Sequence, residues 1–526
     1  MNRHRNKSLN RYDAGLAGLA FLLPLALYVR TLTPGLLPGD SGEFQTLVFL
    51  WGDTHPTGYP VYLTLAKPLS LLPLHDIAWR VNLFSAIMAA LAVAGFYIAA
   101  RQLTRFRALA LAGALLLAVG TTFWSQAIIA EVYAPGAAFL IAILGLLLWW
   151  DATNSDWMLL VAGTLGGLSL GVHMSVALIA PAVLLFLLLH WRRGWRMWGM
   201  AAAGAVAGLA LTLTLFWLID RHNPSANYFH AVILPSISAW GMTPADLNSP
   251  WKRLWFGWSA QQFRPFMYQT DVLGEQSNQF WQGLPAEIGG VTPWLAVFGG
   301  IWLLWKRTRA GLLLLSALAT QLLFVFTYAI WDLYVFFIPA YILILLLAVA
   351  GLGAIAAGAL GLIRKIAPEN TANWMGAAIQ IGLALLLLGG VAWPIFRPQK
   401  DAVLTGVDPF DFEEYPAYNP QLLPIAQSTV SALPADTILF TDWDAIWPLY
   451  YAAQIDAHRA DLIFHETYPR DDRPELADSA ITYIRQQIDQ HPIFFSERES
   501  KLQQAGFRLR IVRIGPQRLF RVEKQP

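Results

Sequence analysis

Long apolar runs separated by short polar turns fill the first three quarters of this chain. Leu- and Ala-rich segments without period-two alternation recur at 14–32, 80–100, 107–123, 134–150, 157–172, 175–191, 197–219, 291–305, 310–330, 335–360 and 372–394. Runs of that length and composition are the pattern of membrane-spanning helices, because only a helix or a closed barrel satisfies its own backbone in lipid. The pattern predicts eleven spans. The stretch from Met158 to Trp191 is about twice a normal span and is interrupted at Gly171, Val172, His173, Met174 and Ser175. It is therefore divided into two short helices that meet at a turn. Ser41–Trp51 and Val61–Pro73 are apolar but too short to cross, and are expected as helices lying at the membrane interface.

The pattern changes at Arg397. TILFTDWD, AIWPLYYAAQI and ADLIFHETY read as strand, helix and strand, and DSAITYIRQQI, PIFFS, FRLRIVRI and RLFRVE continue the alternation. Alternating periods of this kind predict a small α/β domain. Two domains are expected: a transmembrane domain over 1–395, with its first outer loop at 33–79, and an α/β domain over 396–526. The expected fold class is thus a polytopic α-helical membrane protein of about eleven transmembrane helices with a C-terminal α/β domain outside the cytoplasm.

Composition agrees with this division. Of the 526 residues 56% are hydrophobic and 13% charged, with 23 Trp, which excludes an ordinary soluble chain. No Cys is present, so disulfides, thiolate chemistry and Cys-based zinc sites are excluded. Lys and Arg gather in alternate turns (the tail Arg3, Arg5, Lys7 and Arg11, then RQLTRFR, WRRGWR, KRTR and RK). Positive charge stays on the cytoplasmic side, so the N-terminus is expected there and residues 396–526 outside. Without a small-residue processing site, the first span is expected to remain as an anchor. Membrane lipid is an expected partner and nucleic acid is not.

The densest polar cluster among the apolar runs is LTPGLLPGDSGEFQTLVFLWGDTHPTGYP, Leu32 to Pro60, which holds Asp40, Glu43, Asp53 and His55. Desolvating a carboxylate costs several kcal/mol, so acids gathered at a membrane surface point to function. Asp40 and Glu43 are three apart. That spacing makes a capping box at a helix start, and it equally presents two carboxylates on one side for base catalysis or a metal. His-Pro-Thr-Gly-Tyr-Pro, residues 55–60, is a rigid turn that joins two helices or aims His55 at a substrate. Arg80 opens the second span, as an interfacial anchor or as a fork for a lipid phosphate. Glu131, His173 and Asp332 fall at outer helix ends, each an ordinary cap alone and together the lining of one polar cavity. Asp442-Trp443-Asp444 follows a strand and has the D-x-D spacing of a metal site, although acids also begin helices there. No cofactor is assigned, no metal ligands are assigned, and a divalent metal stays open.

The first loop resembles a family of membrane proteins long catalogued as a domain of unknown function, related to protein O-mannosyltransferases and of the GT-C glycosyltransferase fold. The matching residues are Asp40-Ser41-Gly42-Glu43, His55-Pro56 with Gly58-Tyr59-Pro60, Arg80 with Asn82, and Glu131-Val132-Tyr133. GLSLGVHMS and the late TDWDAIWPLYYAAQ and HRADL also resemble it, whereas Thr57 stands where a second Pro is usual. The resemblance implies a polyprenyl-phosphate sugar donor, mannose above all, and a protein or glycan acceptor outside the cytoplasm at the cell membrane. It implies Asp40 as general base with Glu43 as helper, and inversion at the sugar. His55, Tyr59, Arg80, Glu131, His173 and Asp332 become the candidates for binding substrate and donor. A polytopic transporter or flippase, or a non-catalytic scaffold for envelope assembly, is the alternative.

Overall fold

The computed structural model describes residues 10–406, 418–470 and 472–525. Arg3, Arg5 and Lys7 of the basic tail lie outside the described residues. Every one of the eleven apolar segments contains helix. Among the described residues seven helices are long and apolar enough to cross a membrane, from Arg11–Arg30 to Glu369–Thr405. Two further segments belong to bent pairs: Arg107–Val119 with Thr121–Ala127 turns by 69°, and Leu273–Ile288 with Thr292–Lys306 by 93°. The last two are the short apolar helices Trp157–Ser169 and Met174–Leu188. The chain does break between them at Gly171–His173, as the interrupted run predicts.

The chain forms two compact units. One takes residues 10–32, 85–212 and 263–406. Its core runs along the helix Ile338–Ile366, whose residues from Ala340 to Ala354 are all buried. Small residues let neighbouring backbones meet closely, the usual means of helix association where no hydrophobic effect operates between lipid-embedded surfaces. Gly163 and Gly167 face the backbone of Ala201, Ala205 and Leu209, and Gly204 and Gly208 face Leu160 and Thr164. A methyl group at any of these four positions would meet main-chain atoms.

The other unit takes residues 33–84, 213–262 and the described residues from 418 onward. It therefore joins the first polar loop to the C-terminal α/β region. Five strands, β1 (Ile438–Thr441), β2 (Ile463–Glu466), β3 (Ile493–Phe495), β4 (Phe507–Ile514) and β5 (Gln517–Lys524), form one sheet in the order β2-β1-β3-β5-β4. β1 pairs in parallel with β2 and β3, while β5 is antiparallel to β3 and β4. Ile438, Phe440, Ile484, Ile493, Phe495 and Val522 pack its core.

The two short helices of the loop are present as Gly39–Leu50 and Pro60–Ser70. The first is not an amphipathic surface helix. Its polar residues Ser41, Glu43, Gln45 and Thr46 are buried along with Phe44, Leu47 and Val48. Gln45 accepts from the Leu37 amide at 2.9 Å and donates to Asn82 Oδ1 at 2.8 Å, and Asn82 in turn donates to the Thr33 carbonyl at 2.9 Å. Thr46 donates to the Gly42 carbonyl at 2.8 Å and reaches the Trp447 carbonyl at 3.3 Å. These bonds satisfy the buried polar groups, and protein covers the helix from Ser41 to Val48.

Candidate active site

The acids of D-S-G-E do not form a capping box. The helix starts two residues earlier than the spacing suggests, with Pro38 at the N-cap and no side-chain cap bond. Gly39 makes this start at φ +60, where a side chain would be strained, and a Cβ there would lie 3.3 Å from Asp444 Oδ1. Asp40 thus stands in the first turn with its carboxylate directed to other partners.

Those partners come from the H-P-T-G-Y-P turn and from the C-terminal region. Glu43, fully buried, accepts from the His55 amide through Oε1 at 2.8 Å and meets His55 Nδ1 through Oε2 at 2.5 Å. Both oxygens of one carboxylate therefore orient one imidazole. The opposite ring nitrogen, Nε2, lies 3.7 Å from Asp40 Oδ2 and 3.1 Å from the Tyr59 hydroxyl. Tyr59 also donates to the Pro56 carbonyl at 3.2 Å. It sits at φ +42 immediately before Pro60, a costly backbone conformation of the kind that collects at functional sites.

Asp40 Oδ1 accepts from the indole Nε1–H of Trp443 at 2.8 Å. Trp443 stands edge-on to His55, with ring centroids 6.2 Å apart, and to Tyr228 at 6.0 Å. Asp442 accepts from the Ala445 amide at 2.9 Å and caps the Trp443–Tyr450 helix. The D-W-D triplet thus supplies a cap and an indole. Among the described residues no group of three His, Asp or Glu is placed to hold a metal ion. Tyr228 is buried and donates to Gln262 Oε1 at 2.7 Å. Burial first, and then Glu466, Glu43 and Asp40, push its phenol well above the ordinary range and keep it protonated.

The two carboxylates differ in access. Asp40 is 28% exposed at its side chain and Glu43 is 0% exposed. Burial raises the pKa of Glu43, and the His55 ring opposes that rise. Arg80 is half-buried in the same unit, with Nε on the Asp76 carbonyl at 3.0 Å and Nη1 on the Leu72 carbonyl.

Three other candidates gather in the first unit. Tyr133 donates to Asp332 Oδ2 at 3.3 Å and meets the His173 ring edge-on at 5.1 Å. Phe336 packs against both Tyr133 and His173, and His173 Nδ1 lies 2.5 Å from the Ser175 hydroxyl. Glu131 is buried two residues before Tyr133, with its carboxylate on the Val132 amide at 3.3 Å. Sequence reasoning missed Trp443 and Tyr228 as members of the first cluster. For Trp443 the available signals were its place between two acids at the end of a strand and the resemblance of that segment to the same family as the first loop.

Over 98% of this chain and 99% of the other, the structure superposes on that of ArnT from Cupriavidus metallidurans bound to undecaprenyl phosphate, with a TM-score of 0.57 and 15% identity. The fold is GT-C. With this fold and its apolar helices, the chain is a multi-pass membrane protein. Residues 40–198 match the family model described as the protein O-mannosyl-transferase TMEM260 N-terminal domain. Mouse protein O-mannosyl-transferase TMEM260 is 31% identical over 116 residues, 22% of this chain and 16% of that one. The Dictyostelium discoideum protein of the same name is 24% identical over 147 residues, 27% of this chain and 18% of that one. The matched stretches thus span less than a fifth of either relative. Within the GT-C chain the family match opens on Asp40 and includes Glu43, His55, Tyr59, Arg80, Glu131 and His173, whereas Asp332 and Trp443 lie beyond it.

Proposed function

We propose that this chain is a glycosyltransferase that moves a sugar, mannose in this reading, from polyprenyl phosphate to a hydroxyl of a protein or glycan. The transfer takes place on the outer face of the cell membrane, with the N-terminus cytoplasmic and the α/β region outside. Two lines support it: the fold shared with ArnT, and the local similarity to proteins named O-mannosyl-transferases. The observation that carries the assignment of roles is the unequal access of the two acids, since only the partly exposed Asp40 can meet an incoming hydroxyl.

In the proposed reaction Asp40 takes the acceptor's hydroxyl proton as its oxygen attacks the anomeric carbon. The bond from that carbon to the phosphate oxygen breaks, and polyprenyl phosphate leaves with the electron pair. A single displacement inverts the anomeric centre. Glu43 does not touch substrate; it fixes His55, whose Nε2 edge faces the base and holds its charge in place. Trp443 fixes the second oxygen of Asp40. Tyr59 completes the wall around His55. Among the described residues Arg80 Nη2 has no protein partner, and it is assigned to the departing phosphate, where a cation stabilises developing charge. Glu131, His173 and Asp332 are assigned to the binding of substrate.

Asp40→Asn tests this reading, because Asn keeps the size and hydrogen-bonding oxygen of Asp but cannot accept the proton. Acceptor-dependent release of polyprenyl phosphate from polyprenyl-phosphate mannose should fall by about a hundredfold or more, with melting temperature and donor binding unchanged. Glu43→Gln should lose less. Near-normal turnover in Asp40→Asn would refute the assignment.

A further inference from the structure

The loop that delivers His55 also contains an acid that takes no part in the chemistry above. Asp53 is 3% exposed, its Oδ1 has no hydrogen-bond partner, and its carboxyl lies within hydrogen-bonding reach of the Asp220 carboxyl. Two carboxyl groups in contact need a proton between them. Asp220 is held from its other side by the guanidinium of Arg253, through Nη2 to Oδ2 at 2.6 Å and through Nε to Oδ1. Arg253 also donates to the Leu247 carbonyl at 2.7 Å, which fixes it in place. The backbone carbonyl of Asp53 meanwhile accepts from the amide of Tyr228 at 2.8 Å. One residue therefore ties the loop to the Asp220–Arg253 pair through its side chain and to a wall of the site through its main chain.

We propose that Asp53 is a positioning residue, which in its neutral form holds the 52–59 loop, and with it His55, against the Asp220–Arg253 pair and releases the loop on ionising. The inference deepens the glycosyl-transfer reading and rests on it only for its effect on turnover. Burial and then the Asp220 carboxylate raise the carboxyl of Asp53 to about 8, against a smaller lowering by Arg253. The sign follows: below that value the shared proton is present and the loop is held, and above it two like charges face each other. The charged and titratable groups packed around it come from three elements. Arg253 is raised by its bond to Asp220, and His230, beside Arg253 and Asp220, is lowered by burial and is already neutral. On the loop's own side His222 packs tilted against Trp51, with ring centroids 5.9 Å apart, and His55 is paired with Glu43.

The test is amide hydrogen exchange of the full-length protein over residues 51–60 and at the Tyr228 amide, corrected for the intrinsic pH dependence of exchange, together with turnover on polyprenyl-phosphate mannose. Between pH 7 and pH 9 the ionised fraction of a group of pKa about 8 rises about tenfold. Exchange in the wild type should rise by the same factor while turnover falls. Asp53→Asn, neutral at every pH, should hold exchange flat and keep its turnover at pH 9. If Asp53→Asn fails to fold, Asp220→Asn serves instead: it removes the facing charge and should move the exchange transition to lower pH. Identical exchange profiles in wild type and variant would overturn the proposal. An exchange transition that Asp53→Asn abolishes, in a protein with no transferase activity at any pH, would support the positioning role and sink the glycosyl-transfer reading instead.

Discussion

Trp443→Phe removes one hydrogen-bond donor from the proposed base and little else. Phe keeps an aromatic ring facing His55 and Tyr228, so the walls survive, while Asp40 Oδ1 loses its 2.8 Å bond. A hydrogen bond to a charged group is worth about 1.5–3 kcal/mol when shielded from water. Asp40 is 28% exposed, so water recovers part of that, leaving about 1–2 kcal/mol. If the bond holds the carboxylate where the acceptor's proton must arrive, that energy appears in the transition state. At 1.4 kcal/mol per factor of ten, turnover should fall by roughly 5- to 30-fold. The assay is steady-state release of polyprenyl phosphate by purified protein in lipid discs, with donor affinity measured separately on the same samples. Trp443 is half-buried, so the melting temperature should change little. Trp443→Leu, which also removes the ring, should lose more. Turnover of Trp443→Phe within twofold of wild type, where Asp40→Asn is inactive, would refute the argument that the indole positions the base.

Reporter fusions after Pro526 should be active only when the reporter works outside the cytoplasm; an active cytoplasmic reporter there would refute the proposed orientation. Arg80→Ala should weaken binding of the polyprenyl-phosphate donor by about tenfold, with Lys restoring only part because it lacks the guanidinium fork. Unchanged donor affinity would leave Arg80 as a staple between the 77–103 helix and the turn before it, through its bonds to Leu72 and Asp76.

What the sequence made legible follows from the range of each signal. Apolar runs of twenty residues declare themselves locally, and the break at Gly171–His173 was visible as an interruption. The pairing of D-S-G-E with H-P-T-G-Y-P was also within reach, since Glu43 and His55 are 12 residues apart. The capping-box spacing misled because the turn at Gly39 begins the helix two residues early, with Pro38 in the capping position. The buried character of the Gly39–Leu50 helix was hidden by its shortness: an apolar dozen looks the same whether lipid or protein covers it. Tertiary partners were out of reach altogether. Nothing near Asp40 announces Trp443, and nothing near Asp53 announces Asp220 and Arg253, which come from two other segments of the same compact unit.

The separation of Asp40 and Trp443 by 403 residues also sets when the site comes into being. Translation at about 5–20 residues per second places the indole roughly 20–80 s behind the carboxylate it will hold. Through that interval the nascent chain carries its first loop without the residues that enclose it, and Asp40 has no indole to fix it. A ribosome that stops short of β1 leaves a protein that can enter the membrane with all eleven apolar segments and still lack a finished site. Synthesis of the segment that carries Trp443 is thus the step that completes the proposed site.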